Sequence, residues 1–190
     1  MSNITYHKLS WTQLHHDCVE LHTKKLKDIE VDVIVSISRG ANTISHVFSD
    51  LLGMIPISHI TISSYQDMKK LEKPKISEEP TRDFHNKNIL IIDDVSDSGA
   101  TFKVTLEYFK KKKPTKIYTL SPYIKPQTTY KPDFWLKSID AWIIFPYDVR
   151  ETMEGFEKMF GSIERARNMM HDVGFEEWEI EAVLPQGDNP

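Results

Sequence analysis

Ile89-Leu90-Ile91-Ile92-Asp93-Asp94-Val95-Ser96-Asp97-Ser98-Gly99-Ala100-Thr101 is the stretch on which the reading of this chain turns. Four apolar residues of strand length end in two adjacent carboxylates. Asp93 and Asp94 can accept hydrogen bonds from vicinal hydroxyls and can hold a hard cation through oxygen. A turn of small residues, Ser96 to Thr101, then leads into a helix, so that backbone N–H groups and hydroxyls converge where a phosphate would sit. A ligand with cis hydroxyls next to a 5-phosphate, a ribose 5-phosphate, satisfies both halves. The plainer reading is an ordinary strand–turn–helix with a capping Ser or Asp. A lone Asp-Asp pair would favour it; the whole arrangement does not.

Outward from this segment, short apolar runs alternate with helical patterns. Ser10-Trp11-Thr12-Gln13 has the form of a capping box, and Leu14, Cys18 and Leu21 follow at helical spacing, which predicts a helix near 10–27. Strands are expected at Val31–Ile37, Ile55–Ile62, Ile89–Ile92, Lys116–Leu120 and Ala141–Phe145. Helices are expected at Asn42–Leu52, closed by Gly53, and at 98–111. Strands alternating with helices make the fold class α/β, a parallel sheet covered on both faces. Ligands bind such sheets at the carboxyl ends of their strands, where Gly40 and Gly99 stand. Neither G-x-x-x-x-G-K-[ST] nor G-x-G-x-x-G occurs.

Two stretches stand apart. From Gln66 to Lys87, 11 of 22 residues are charged and Pro74 and Pro80 interrupt, so this segment fits neither element and reads as a long loop, either a functional lid or a solvated excursion. In the tail, Met153, Phe156, Phe160, Ile163 and Met170 fall near one face of a helix closed by Gly174. A short helix at Glu176–Val183 follows, and both need an apolar partner.

Charge and composition exclude several classes. Net charge is −4, but residues 151–190 hold ten acidic and three basic residues, which leaves 21 basic and 18 acidic residues, about +3, in residues 1–150. A mildly basic body suits an anionic small molecule and is too weak for a nucleic-acid surface. No run reaches the roughly 18 apolar residues of a membrane helix, and the N-terminus lacks the pattern of a secretory signal. The one cysteine, Cys18, fits a reducing, cytoplasmic compartment and reads as a small buried hydrophobe rather than a catalytic thiol.

The 89–101 segment resembles the phosphoribosyl pyrophosphate signature of the type I phosphoribosyltransferases. Three further pieces are similar to the 6-oxopurine branch, especially the xanthine-guanine enzymes, and they appear in the right order over roughly residues 30 to 150. Ser38-Arg39-Gly40 resembles the pyrophosphate loop, and Ser63-Ser64-Tyr65 the start of the mobile catalytic loop. Lys125-Pro126, Asp140-Ala141-Trp142-Ile143 and Pro146-Tyr147-Asp148 resemble the base-binding region. The resemblance implies the type I phosphoribosyltransferase fold: a sheet flanked by helices, a small base-binding hood and, here, a C-terminal helical extension. It divides the chain into a catalytic domain over 1–150, with a mobile loop at 64–87, and an acidic extension over 151–190.

Carried over residue by residue, the resemblance implies that Asp93 and Asp94 hold the ribose hydroxyls, with Asp94 also toward Mg²⁺. Ser96, Asp97, Ser98, Gly99, Ala100 and Thr101 cradle the 5-phosphate, and Asp97 handles a proton at purine N7. Ser38, Arg39 and Gly40 bind pyrophosphate, in a loop that often contains a non-proline cis peptide in this family. Ser64 and Tyr65 close over it, so that Asp97, Tyr65 and Arg39 form the catalytic set. Lys125 donates to the purine O6, Trp142 stacks on the base, the Ile143 carbonyl meets the C2 group, and Asp148 completes the base-binding set. The partners implied are phosphoribosyl pyrophosphate and a purine base, with a homodimer or higher homo-oligomer and no membrane or nucleic acid.

Each role has a plainer counterpart: Lys125 as a surface lysine, Trp142 as core, Asp148 as a helix cap, Arg39 in a structural ion pair. The sequence departs from the family at Ala41, where a second glycine is common, at Ser98 for threonine, and at Ala100 for glycine or lysine. Adenine, orotate or uracil as the base, or a non-catalytic sensor of phosphoribosyl pyrophosphate, remain the alternatives at this level.

Overall fold

A computed structural model describes residues 4–66 and 69–184, without the side chains of residues 64–73. In chain order the elements are β1 (Tyr6–Lys8), α1 (Trp11–Lys25), β2 (Val33–Ser38), α2 (Asn42–Leu51), β3 (Ile57–Gln66), β4 (Lys69–Glu78), β5 (Asn88–Ile92), β6 (Val95–Ser96), α3 (Ala100–Lys110), β7 (Lys116–Leu120), β8 (Tyr123–Ile124), β9 (Lys137–Ser138), β10 (Trp142–Ile144), α4 (Val149–Phe160), α5 (Ile163–Asp172) and α6 (Glu177–Glu181). They form two compact units, one of residues 15–139 and the other of residues 1–14 with 140–190.

The first unit is built on a five-stranded sheet in the order β4-β3-β2-β5-β7. β3, β2, β5 and β7 run parallel, with Ile34 opposite Ile57 and Leu90, and Leu90 opposite Tyr118. Ile89 to Ile92 are fully buried, as are Ile34 and Val35 beside them. At roughly 1.5–3 kcal/mol per buried aliphatic side chain, this pairing anchors the sheet. After β3 and its antiparallel edge partner β4 the chain crosses to the far side of β2 and continues as β5 and β7. The order therefore reverses at β2 and β5, where open α/β sheets bind their ligands.

α1 buries Leu14, Cys18 and Leu21 and starts on a Ser10 cap, whose Oγ accepts the Gln13 N–H at 3.1 Å. Burial, with Asp17 next to it, pushes the Cys18 thiol up to about 12, so it stays protonated and inert. α2 ends as expected at Gly53, with φ of +95°. A smaller parallel sheet, β6-β8-β9, continues beyond the carboxyl end of the main one.

Three expectations are corrected. The charged stretch read as a loop contains strand β4, antiparallel to β3. It lies at a sheet edge, where lysines and a proline are tolerated, and the pairing register shifts twice along it. The last expected strand is not part of the main sheet: β10 pairs in parallel with β1, Ile143 opposite His7. The helix read through to Gly174 is two helices. Gly161 adopts φ of +64° and closes α4, and Ser162 then caps α5 by accepting the Arg165 N–H.

In the second unit, Met153, Phe156, Ala166, Met170, Phe175 and Ile180 pack with Ile144 of β10, and Tyr6 of β1 lies against them. Lys8 pins this packing. Its Nζ donates to the Gly174 carbonyl at 3.0 Å, pairs with Glu179 at 3.4 Å and lies over the Phe175 ring. Among the described residues no helix is long and apolar enough to cross a membrane.

Candidate active site

The candidate site of the 15–139 unit is assembled from two neighbouring carboxyl ends of the main sheet. β2 runs into Ser38-Arg39-Gly40, and the Ser38–Arg39 peptide is cis. β5 runs into Asp93-Asp94. Because β2 and β5 are neighbours, the two loops touch: a Cβ on Gly40 would come 2.6 Å from the Asp94 carboxyl carbon. Glycine lets the backbone meet the carboxylate directly, whereas a Cβ there would force the Asp94 side chain to move. Asn42, at the start of α2, supports the first loop. Its Oδ1 accepts from the Ser36 hydroxyl at 3.0 Å and the Ser38 hydroxyl at 3.1 Å, and His59 Nδ1 lies 3.3 Å from the same oxygen.

Asp93 is 8% exposed, and its Oδ1 accepts the Asp94 N–H at 3.1 Å. Asp94 Oδ1 accepts the Val95 N–H at 2.7 Å. Burial first, and the neighbouring Asp94 charge second, hold the Asp93 carboxyl well above its ordinary value of 3.8. A carboxyl raised in the folded state costs stability as pH rises from the ordinary value toward the raised one. Asp93→Asn can keep the bond to Asp94 N–H without the buried charge. In ligand-free protein it is expected to be more stable than wild type by about 0.5–2 kcal/mol, the usual size of a favourable single change. That gain should be present near pH 8 and absent near pH 3.5. Melting curves at the two pH values check this, and an equal gap at both would contradict it.

The turn after β6 is braced from outside. Ser96 is buried, and its hydroxyl donates to the Tyr130 carbonyl at 2.7 Å and meets Thr128 Oγ1 at 2.9 Å. Gly99 takes φ of +80° and opens α3, and a Cβ there would fall 2.7 Å from the Tyr130 backbone nitrogen. Ser98 Oγ accepts the Ala100 N–H at 3.3 Å, and Thr101 lies half-buried in the first turn of the helix. Asp97 and Ser98 are exposed. Lys125 follows β8 directly. Since β8 pairs with β6, its N–H donates to the Ser96 carbonyl at 3.0 Å, which places it beside the turn.

Ser38, Arg39, Gly40, Asp93, Asp94, Ser96 to Thr101 and Lys125 therefore all belong to one unit and cluster at its strand ends. The backbone of Ser64 and Tyr65 continues β3 beside them, while their side chains lie outside the described residues. Trp142, Ile143 and Asp148 belong to the other unit. Trp142 is 63% exposed and so is not core, and Ile143 is buried in β10. Asp148 starts α4, but its carboxylate makes no capping bond there and instead accepts the Phe145 N–H at 3.3 Å.

Sequence reading missed the residues that brace the turn, Gln127 to Tyr130, and the Asn42 hub. Their one local signal was turn chemistry, a proline followed by small polar residues. A separate group, His16, Asp17 and Glu20 on α1, brings possible ligand atoms within 4.8 Å of one another. Asp17 is already neutralised by Lys137 at 2.7 Å and bonded by the Tyr123 hydroxyl at 2.9 Å.

The model of the phosphoribosyl transferase domain family matches residues 10–152. The chain belongs to that family. Among its relatives, a purine phosphoribosyltransferase of Pyrococcus horikoshii is 32% identical, with a TM-score of 0.68 over 75% of this chain and 93% of that one. The xanthine-guanine-hypoxanthine phosphoribosyltransferase of Helicobacter pylori is 28% identical, with a TM-score of 0.63 over 74% and 92%. A xanthine-guanine phosphoribosyltransferase of Idiomarina loihiensis is 26% identical over 74% of this chain and 86% of its own length. The chain is thus a phosphoribosyltransferase of the type I fold, and the matched residues include both strand-end loops and Lys125.

Proposed function

We propose that this phosphoribosyltransferase joins a 6-oxopurine base to the ribose 5-phosphate of phosphoribosyl pyrophosphate and releases pyrophosphate. The observation that carries the reading is the pairing of β6 with β8, which sets Lys125 beside the 5-phosphate turn. A lysine ammonium only donates, so next to a ribosyl site it favours a base presenting a carbonyl oxygen over one presenting an amine.

In this reading Asp93 and Asp94 hold the ribose hydroxyls. Ser98, Thr101 and the N–H groups opening α3 hold the 5-phosphate, with Ser96 bracing the turn from within. Arg39 and the backbone around Gly40 bind pyrophosphate, and Ser64 and Tyr65 cover it and keep water out. Asp97 takes or returns the proton at N7. These positions hold the two reactants in line, and most of the acceleration comes from that alignment.

The adjacent carboxylates of Asp93 and Asp94 fit Mg²⁺, a hard cation that takes oxygen ligands. When bound, the ion neutralises charge on the departing pyrophosphate. The test is to supply phosphoribosyl pyrophosphate and Mg²⁺ with guanine, xanthine, hypoxanthine, adenine, orotate and uracil in turn, and to follow nucleotide formation. Product with the 6-oxopurines is the expected result, and product only with another base overturns it. Phosphoribosyl pyrophosphate with Mg²⁺ should also raise the melting temperature, by about 2.7 kcal/mol of stabilisation at a hundredfold excess over Kd. An unchanged melt at millimolar ligand would contradict the assignment of the site.

A further inference from the structure

We infer that Gln127 is a positioning residue for Asp97, an inference that rests on the proton-handling role proposed for that carboxylate. The Gln127 side-chain Nε2 donates to Asp97 Oδ1 at 3.0 Å, across 30 residues of sequence. A carboxylate only accepts, so the amide must face it nitrogen first, and it engages one of the two oxygens. Its partner oxygen is the one the purine would meet.

The bond is not a chance meeting of two exposed side chains. Thr128 N–H donates to the Lys125 carbonyl at 3.1 Å, which closes a turn over Lys125–Thr128 with Pro126 and Gln127 at its centre. Proline at the first central position presets that turn. The turn is then fastened to the Asp97 loop on both sides of Asp97. On one side Thr128 Oγ1 meets Ser96 Oγ at 2.9 Å. On the other, Thr129 N–H and Thr129 Oγ1 both donate to the Ser98 carbonyl, at 3.2 and 2.7 Å, and Lys103 Nζ donates to Thr129 Oγ1 at 2.7 Å. With both neighbours held, Gln127 and Asp97 face each other in a frame that neither side chain has to create. Such a frame reduces the ordering cost of orienting an exposed carboxylate.

A neutral donor suits this position. It orients the carboxylate without placing a second full charge where the purine binds. The same turn begins at Lys125, so one short segment would orient the proton-handling group and the base-selecting lysine together.

The experiment uses the full chain in steady-state kinetics with a 6-oxopurine that is a substrate, comparing wild type, Gln127→Ala, Gln127→Glu, Asp97→Asn and the double variant Gln127→Ala/Asp97→Asn. Gln127→Ala should lower kcat about tenfold, the scale of one hydrogen bond to a charged acceptor, with KM for phosphoribosyl pyrophosphate changed less than about twofold. Gln127→Glu keeps the length but sets a second carboxylate against Asp97, and it should lose more than Gln127→Ala. In the Asp97→Asn background, Gln127→Ala should cost nothing further, because residues that act as a unit are not additive. A structural role alone would lower stability without this split or this coupling.

Wild-type kcat in both Gln127 variants beside an impaired Asp97→Asn would overturn the inference and leave the reading of Asp97 standing. Additive losses in the double variant would overturn it too. Full turnover in Asp97→Asn would instead overturn the reading of Asp97 on which it rests.

Discussion

Lys125→Ala is expected to lower kcat/KM for guanine, xanthine and hypoxanthine together, while adenine falls much less. All three 6-oxopurines present an oxygen where adenine presents an amino group, and the lysine can bond to the first but meets the second donor to donor. A site built around one specific hydrogen bond can discriminate by about 10⁴-fold when the wrong partner leaves it unpaired. Much of that margin should vanish with the lysine, because stacking serves every purine ring equally. The structure places the Lys125 backbone through the β6–β8 pairing and the bond from its N–H to the Ser96 carbonyl, neither of which uses its side chain. The substitution should therefore spare the fold. Measuring kcat/KM for the four bases in wild type and variant decides the matter. If the variant keeps the wild-type ranking and rates, Lys125 is an ordinary surface lysine.

Asp97→Asn should leave phosphoribosyl pyrophosphate binding intact and lower turnover by roughly 10²-fold or more, the usual effect of losing a positioned acid or base. The expectation follows from where Asp97 stands. It is exposed at the tip of the turn, and it is oriented by Gln127 rather than built into the interior. The carboxylates proposed to hold the ribose, by contrast, sit at the strand end, and Asp93 is buried there. The ligand-induced rise in melting temperature should persist in the variant while the rate falls. Near-normal turnover would show that the proton is handled by another group.

The main sheet and the 89–101 signature were legible because their determinants are local. Ile89 to Ile92 cannot be left in water, and Asp93 and Asp94 follow them directly in the chain. Gly53 and Gly99 mark backbone conformations that side chains disfavour, and both were readable as punctuation. The tail break at Gly161-Ser162 is equally local, yet the apolar spacing running across it masked the glycine and the cap. β4 was missed for a different reason. An edge strand needs no apolar face of its own, so its charges and Pro74 looked like a loop until antiparallel pairing with β3 supplied the partner.

By itself the sequence determined the α/β class, the four parallel strands of the main sheet with α1, α2 and α3 in their order along the chain, and the chemistry concentrated at the ends of β2 and β5. Periodicity, turn residues and adjacent carboxylates act over a few residues and survive in one dimension. Only the tertiary structure decided which ends meet. The parallel neighbourhood of β2 and β5 brings Gly40 against Asp94, and the β6–β8 pairing brings Lys125 to Ser96. It also decided that β10 pairs with β1, and that Gln127, Thr128 and Thr129 fasten onto the turn at 96–98. The physical reason is common to all of these. Each contact joins residues tens of positions apart, and the hydrogen bonds that hold them are made by ordinary backbone and small polar side chains, which carry no mark of their partner until the sheet has formed.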